Sequence, residues 1–511
     1  MTMPDIIPAP EMANQKYDSA ETASVSSRRT HFGDESVGSV GDKTSDVWFQ
    51  HSSGKRINTD TLIAQSLAQQ HPSLRLTIAP PTNGLNLISY AQAGHASCKA
   101  IAEKPGNNGT FAPMTWTMYA PPRSRIDGDE GTLAEQIKFA KFEYIWRGHD
   151  FIVYVVDGRD GTEPYGGTTN HYVLSAEREH AEALLLAAGS WANELHGEVW
   201  VFDQGRWVKN AELFRSIMGA SWDSVILDPD MKRAIIDDHI SFFDSRETYA
   251  RLKVPWKRGI IYHGPPGNGK TISIKATMHM LYARKKPIPT LYVRSLSSYG
   301  GPEYALMDIF QKSRQFAPCY LVFEDLDSIV SDQVRSYFLN EVDGLKSNDG
   351  IFMIGSTNHL DRLDPGISKR PSRFDRKYFF PDPDLEQRIA YCKFWQGKLA
   401  DNKDVEFPDE LCKAIAEITD KFSFAYMQEA FVAALLAIAR RSGGGERHSE
   451  ESLTRDMGDG WLDVCGGGSD GDLDELVLWV EIKKQIETLR EGMESEKRIA
   501  ASAKNRSRGN F

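Results

Sequence analysis

Apolar and polar positions divide this 511-residue chain into stretches of different character. Residues 1 to 74 are rich in Ser, Thr, Asp and Gly with little apolar periodicity, which offers too little burial to offset chain entropy and predicts disorder. Residues 75 to 220 carry short strand-like runs, Lys141-Phe-Glu-Tyr-Ile-Trp146, Asp150-Phe-Ile-Val-Tyr-Val-Val156 and Glu198-Val-Trp-Val-Phe202, with a helix expected over Ala176 to Leu195. That mixture predicts an α+β domain whose aromatic residues serve as core or as a docking surface. The periodic stretch Asp230 to Phe243 then reads as a helical lead-in to a domain over 221 to 382.

Within that domain, strand-like runs recur at Gly259 to His263, Thr290 to Arg294, Cys319 to Glu324, Ile351 to Thr357 and Arg376 to Phe380, separated by helix-length segments. The alternation predicts an α/β fold, a parallel sheet with helices on both faces. From Pro383 the pattern is helical, at Leu385 to Leu399, Asp409 to Ile418 and Phe424 to Arg440. A glycine-rich insertion over 442 to 471 precedes a last helix from Leu473 to about Glu494. Its apolar set, Leu473, Leu476, Val480, Ile486, Leu489 and Met493, closes a small helical domain made of 383 to 441 and 472 to 496, or forms an intermolecular coil. The basic tail over 497 to 511 reads as solvated.

The chemistry starts between the first strand and its helix, where Gly264, Pro265, Pro266, Gly267, Asn268, Gly269, Lys270 and Thr271 spell a phosphate loop. Its backbone N–H groups can close around phosphate oxygens, Lys270 reaches the terminal phosphates, and the Thr271 hydroxyl can ligate Mg²⁺. A nucleotide binder follows. Such a site needs a second strand ending in acids, one for the metal shell and one to orient or deprotonate the attacking water, and Tyr320-Leu-Val-Phe-Glu324-Asp325 supplies it. A third strand ends in Ser356-Thr357-Asn358, whose amide can sense a terminal phosphate. Two arginines, Arg370 and Arg373, lie too far along to serve their own nucleotide and point to a neighbouring subunit's.

These motifs, with Asn340-Glu-Val-Asp-Gly344 and Arg373-Phe-Asp-Arg376, resemble the AAA ATPase family in order and spacing over about Trp222 to Arg440. The resemblance implies ATP as substrate with Mg²⁺, a helical lid domain, and a ring homo-oligomer, often a hexamer, with ATP between subunits. It also implies remodelling of a protein client, which residues 75 to 220 would select directly or through an adaptor. By family position Lys270 and Thr271 match the phosphate and metal contacts, Glu324 the metal-shell acid, Asp325 the catalytic acid, Asn358 the first sensor, and Arg370 and Arg373 the fingers. Most members place Asp before Glu on the second strand; here the order is Glu324 then Asp325, which sets the catalytic carboxylate about one methylene farther from the water. The same order, with Asn358-His-Leu-Asp-Arg-Leu-Asp-Pro365, is similar to the Bcs-type subgroup, named for a mitochondrial respiratory-chain assembly chaperone, so hydrolysis is expected. A nucleotide-switched scaffold with little hydrolysis is the alternative. Tyr299-Gly300-Gly301 stands where threading members carry a pore-loop aromatic, and Ser423-Phe-Ala-Tyr426 lacks the arginine sensor of the usual lid motif.

Composition narrows the classes further. A net charge of −11 and no basic, aromatic-interleaved N-terminal patch disfavour a nucleic-acid partner and a DNA-acting member. The five cysteines never form C-x-x-C, and His149, His171 and His196 lack ligand spacing, so no zinc site or disulfide framework is expected. No apolar run is long enough for a transmembrane segment, which removes the Bcs-type anchor, and acids near the N-terminus spoil a presequence. A cytoplasmic or nuclear location is expected ahead of a mitochondrial one.

Overall fold

A computed structural model describes residues 58–81, 84–101, 113–122, 130–158, 169–343, 346–370, 373–403, 405–442 and 473–508. The chain divides into two compact units, 1–192 and 193–511. The disorder expected for residues 1–57 and most of the glycine-rich insertion lie outside the described residues.

In the first unit, strands β1 (Arg75–Ala79), β2 (Ser97–Ala100), β3 (Met114–Ala120), β4 (Thr132–Trp146), β5 (His149–Asp157) and β6 (Thr169–Ser175) form an antiparallel sheet of order β1-β6-β5-β4-β2, with β3 also on β4. Alternate residues bury on opposite faces. Tyr144, Phe151, Val153 and Val173 pack with Leu87 and with Ala181, Leu184 and Ala188 of helix Arg178–Asn193. Tyr154, Val156, Tyr172 and Leu174 pack instead with Leu67 of helix Thr59–Gln70. That helix falls in the stretch expected to be disordered. It is capped by the Asn58 side-chain oxygen Oδ1, which accepts from the Thr61 N–H at 2.9 Å, and its Asp60 accepts from the Tyr172 hydroxyl and the Asn170 amide. A single fully buried leucine leaves too faint a periodicity to read from sequence.

The second unit is built on a seven-stranded sheet: β7 (Val199–Asp203), β8 (Arg206–Asn210), β9 (Arg258–His263), β10 (Thr290–Val293), β11 (Cys319–Phe323), β12 (Ile351–Thr357) and β13 (Arg376–Phe379), in order β13-β9-β12-β11-β10-β7-β8. All pairings are parallel except β7 with β8. Every residue of β11 and β12 is buried, so these strands are apolar on both faces. Ile261, Leu291, Leu321, Phe323 and Met353 share one core with Phe310 and Phe338, while Ile260, Tyr262, Val322 and Ile354 share the other with Ile235, Ile274 and Met278.

The sequence pattern groups the strand at Glu198 to Phe202 with the N-terminal domain of 75 to 220, but β7 pairs in parallel with β10, Leu291 opposite Trp200. It belongs to the second sheet because Trp200 and Phe202 complete the core around Leu291 and Val293. A local apolar run carries no mark of which sheet it joins.

Helices Leu385–Lys398, Asp409–Ile418, Phe424–Ser442 and Val477–Arg508 enclose a separate core that includes Cys392, Leu411, Ile415, Phe431, Trp479 and Ile482. The last helix runs past the expected end at Glu494, into the segment read as a solvated tail, because no residue after Gly492 breaks it before Gly509. No helix among the described residues is long and apolar enough to cross a membrane.

His239, fully buried in helix Pro229–Asp244, donates through Nδ1 to the Ile235 carbonyl at 2.7 Å and stacks on Phe352 at 4.3 Å. Burial pushes its pKa down to about 4. The unfolded ring titrates near 6.5, so between those values the unfolded chain binds the extra proton and stability falls as pH drops from about 6.5 toward 4, by about 3 kcal/mol. Denaturant midpoints measured at pH 7 and pH 4.5 should converge in His239→Leu relative to wild type; an unchanged pH slope would show that the ring protonates without cost.

Candidate active site

Three strands of the parallel sheet, β9, β11 and β12, end on one side, and the expected phosphate, acid and sensor residues emerge there. After His263 the backbone turns at Gly264, with φ +141°, where a Cβ would lie 2.3 Å from the Phe380 carbonyl oxygen. At Gly267, φ +80°, a Cβ would meet the Ala425 methyl at 2.5 Å. Only glycine fits either place. Asn268 is buried and donates its amide to Asp382 at 2.8 Å, pinning the loop to the segment after β13. Helix Lys270–Tyr282 follows directly, with Lys270 and Thr271 in its first turn.

Lys270 is 8 % exposed and its ammonium donates to the Gly264 and Pro265 carbonyls, both at 2.8 Å. Burial lowers its pKa, and the nearby Asp325 carboxylate opposes that shift. The amine is therefore folded back on its own loop. Thr271 is exposed beside it.

Glu324 directly follows β11 and accepts a hydrogen bond from the Tyr292 hydroxyl at 2.6 Å, while its other oxygen, Oε1, is buried with no partner. The Tyr292 hydroxyl is held well above its ordinary pKa, by burial first and then by Glu324, so it is the donor. Asp325 adopts a left-handed conformation, φ 51° and ψ 53°, with its N–H 3.3 Å from the Ser356 hydroxyl of β12. This conformation, which Asp tolerates better than most residues, turns the chain so that the Asp325 side chain is exposed. Asp327 accepts from the Thr357 hydroxyl at 2.7 Å, and that hydroxyl accepts from the His359 N–H at 2.9 Å, which fixes the backbone on both sides of Asn358.

A cavity of about 590 Å³ brings together Pro266, Gly267, Gly269, Lys270, Thr271, Glu324, Asp325 and Asn358. Its remaining wall was not legible in the sequence. Ser224, Val225 and Ile226 come from the segment before helix Pro229–Asp244, and Tyr391, Trp395, Lys398 and Gln428 come from the helical bundle. The bundle also meets the phosphate loop directly, the Ala425 N–H donating to the Gly267 carbonyl at 3.1 Å. The polar floor and aromatic side suit a phosphate chain carrying an apolar ring. Hard oxygen donors, with the partnerless Glu324 Oε1 among them, suit Mg²⁺.

The two arginines differ. Arg370 is exposed, whereas Arg373 is only 11 % exposed, donates to the Gly366 carbonyl at 2.7 Å and lies 3.9 Å from Asp343. The following strand is tied down as well: Asp238 accepts from Tyr378 at 2.6 Å and pairs with Arg258 at 3.2 Å and Arg376 at 3.3 Å. Tyr299 is fully exposed at the loop after β10. Neither arginine lines the cavity.

Residues 260–382 match the family model described as "ATPase family associated with various cellular activities (AAA)", so an AAA ATPase domain is present in this chain. Such a domain implies nucleotide binding, usually with Mg²⁺, suggests ATP-dependent activity, and commonly oligomerises into rings.

Gly267→Ala should lower affinity for ATP at least tenfold while far-ultraviolet circular dichroism stays unchanged, because the added methyl forces the loop from Ala425 and strains its backbone. Equilibrium nucleotide titration checks this, and undiminished affinity would show that the loop does not hold its observed shape when binding.

Proposed function

We propose that this chain is an ATP hydrolase that works as an oligomeric remodeller or chaperone of proteins, and that it is most similar to the Bcs-type subgroup. The observation that carries the proposal is the convergence of Lys270, Thr271, Glu324, Asp325 and Asn358 on one cavity. In this reading the loop from Gly264 to Gly269 cradles the phosphates, and Lys270 leaves the Gly264 and Pro265 carbonyls to reach the terminal ones. Thr271 and Glu324 would hold Mg²⁺, partly through water; the ion supplies charge neutralisation on the phosphates. Asp325 orients the attacking water and takes its proton, and Asn358 places that water against the terminal phosphate. Val225, Tyr391 and Trp395 face the base, and the helical bundle acts as the lid.

The exposed Arg370 is the finger that completes a neighbouring subunit's site in a homo-oligomeric ring, taken as a hexamer. Arg373 braces the same segment through Gly366 rather than reaching outward. Tyr299 offers an exposed ring for an extended polypeptide, and on the first unit Trp116, Met118, Tyr119 and Leu133 offer apolar surface for a client or adaptor. The four described cysteines are free thiols, in keeping with the reducing cytoplasm or nucleus.

The Glu324-Asp325 order favours a second reading, a scaffold that binds ATP, assembles and hardly turns over. Steady-state hydrolysis measured against protein concentration separates the two. Turnover should rise with assembly and vanish in Asp325→Asn. Arg370→Ala should retain ATP binding and lose roughly a thousandfold in rate, while Lys270→Ala should lose binding itself. Tight binding without turnover in wild type would establish the scaffold, and turnover independent of concentration would remove the intersubunit finger.

A further inference from the structure

We propose that Tyr292 is a positioning residue for the metal, holding Glu324 in the one orientation that presents its free oxygen to the ion. The inference rests on the proposed ATPase site. It goes beyond it by naming a residue outside the phosphate loop, the acidic pair and the sensor.

The geometry is specific. Tyr292 lies in the four-residue strand β10, in register with Val322 of β11, and Glu324 follows β11 two residues later. Its ring packs against the core that includes Ile260, Val322 and Ile354, which leaves the hydroxyl little freedom to wander. From that fixed base it donates to Glu324 Oε2 at 2.6 Å. The carboxylate thus has one oxygen occupied and one, Oε1, buried without any partner, although Glu324 lines the cavity. A buried oxygen with no donor is costly unless something supplies one, and a cation or its bound water would do so.

Without the hydroxyl, the glutamate could rotate about its side-chain torsions, and both oxygens would compete for the ion or turn away from it. A partner that fixes a carboxylate ligand in this way commonly contributes ten- to a hundredfold to metal affinity. β10 can serve as such a base because it is an interior strand, paired on its other side with β7, Tyr292 opposite Val201. Removing the hydroxyl leaves every one of these strand pairings in place. Tyr292→Phe is therefore a local test.

The test uses the full chain and reads the metal directly. Mn²⁺ is titrated by electron paramagnetic resonance in the presence of a non-hydrolysable ATP analogue, for wild type, Tyr292→Phe and Tyr320→Phe. The last variant removes a fully buried hydroxyl from the adjacent strand that makes no hydrogen bond to Glu324, so it reports what losing a buried hydroxyl does by itself. The expected result is a tenfold or greater loss of Mn²⁺ affinity in Tyr292→Phe alone, with analogue affinity in the presence of a chelator unchanged and ATP turnover restored by excess metal. Metal affinity within twofold of wild type, or an equal loss in both variants, would overturn the role of Tyr292. A wild-type chain that binds neither analogue nor Mn²⁺ would instead overturn the ATPase reading on which it rests.

Discussion

A parallel sheet buried on both faces can release polar side chains only where its strands end. In this protein that constraint governs the arrangement of the second unit. β11 and β12 are buried at every residue, so Glu324, Asp325 and Asn358 are set by the register of apolar strands rather than by contacts among themselves. Cys319 opposite Ile351 places Phe323 opposite Gly355, and the polar residues that follow each strand then come out side by side. The register of β9 with β12, Thr357 opposite His263, brings the phosphate loop to the same edge. A one-residue slip would exchange the faces of a strand and scatter the site.

The contact between the phosphate loop and the helical bundle depends on the same economy of space. Gly267 abuts Ala425 so closely that the loop has no room for a Cβ there, and the hydrogen bond from the Ala425 N–H makes the contact directional. The helical bundle and the loop therefore share one close contact at Gly267 and Ala425. The bundle has a core of its own, around Phe431, Trp479 and Ile482, so it can respond as a unit.

Much of this was legible in the sequence, and the reasons are local. The strand Ile351–Thr357 and the helix Asp409–Ile418 lie where the pattern put them, since long uninterrupted apolar runs and clear amphipathic spacing depend little on distant partners. The phosphate loop, the acidic pair and Asn358 are legible because a nucleotide site calls for those residue types next to strand ends. What stayed hidden was non-local. Nothing in Glu198 to Phe202 announces pairing with a strand some ninety residues later, nothing in Tyr292 announces Glu324, and the inward turn of Arg373 depends on the Gly366 carbonyl. The helix Thr59–Gln70 hides for a different reason, because two hydrogen bonds to Asp60 and the burial of Leu67 secure it rather than an apolar stripe.

The hairpin β7–β8 has a consequence for assembly. Had the sheet stopped at β10, it would expose a run of unpaired backbone groups and invite strand addition by any neighbouring chain. The outermost strand is instead five residues long and carries Arg206 and Lys209, a short, charged margin that resists such pairing. On this margin of the sheet, any neighbouring chain therefore meets charged side chains rather than an open backbone ladder.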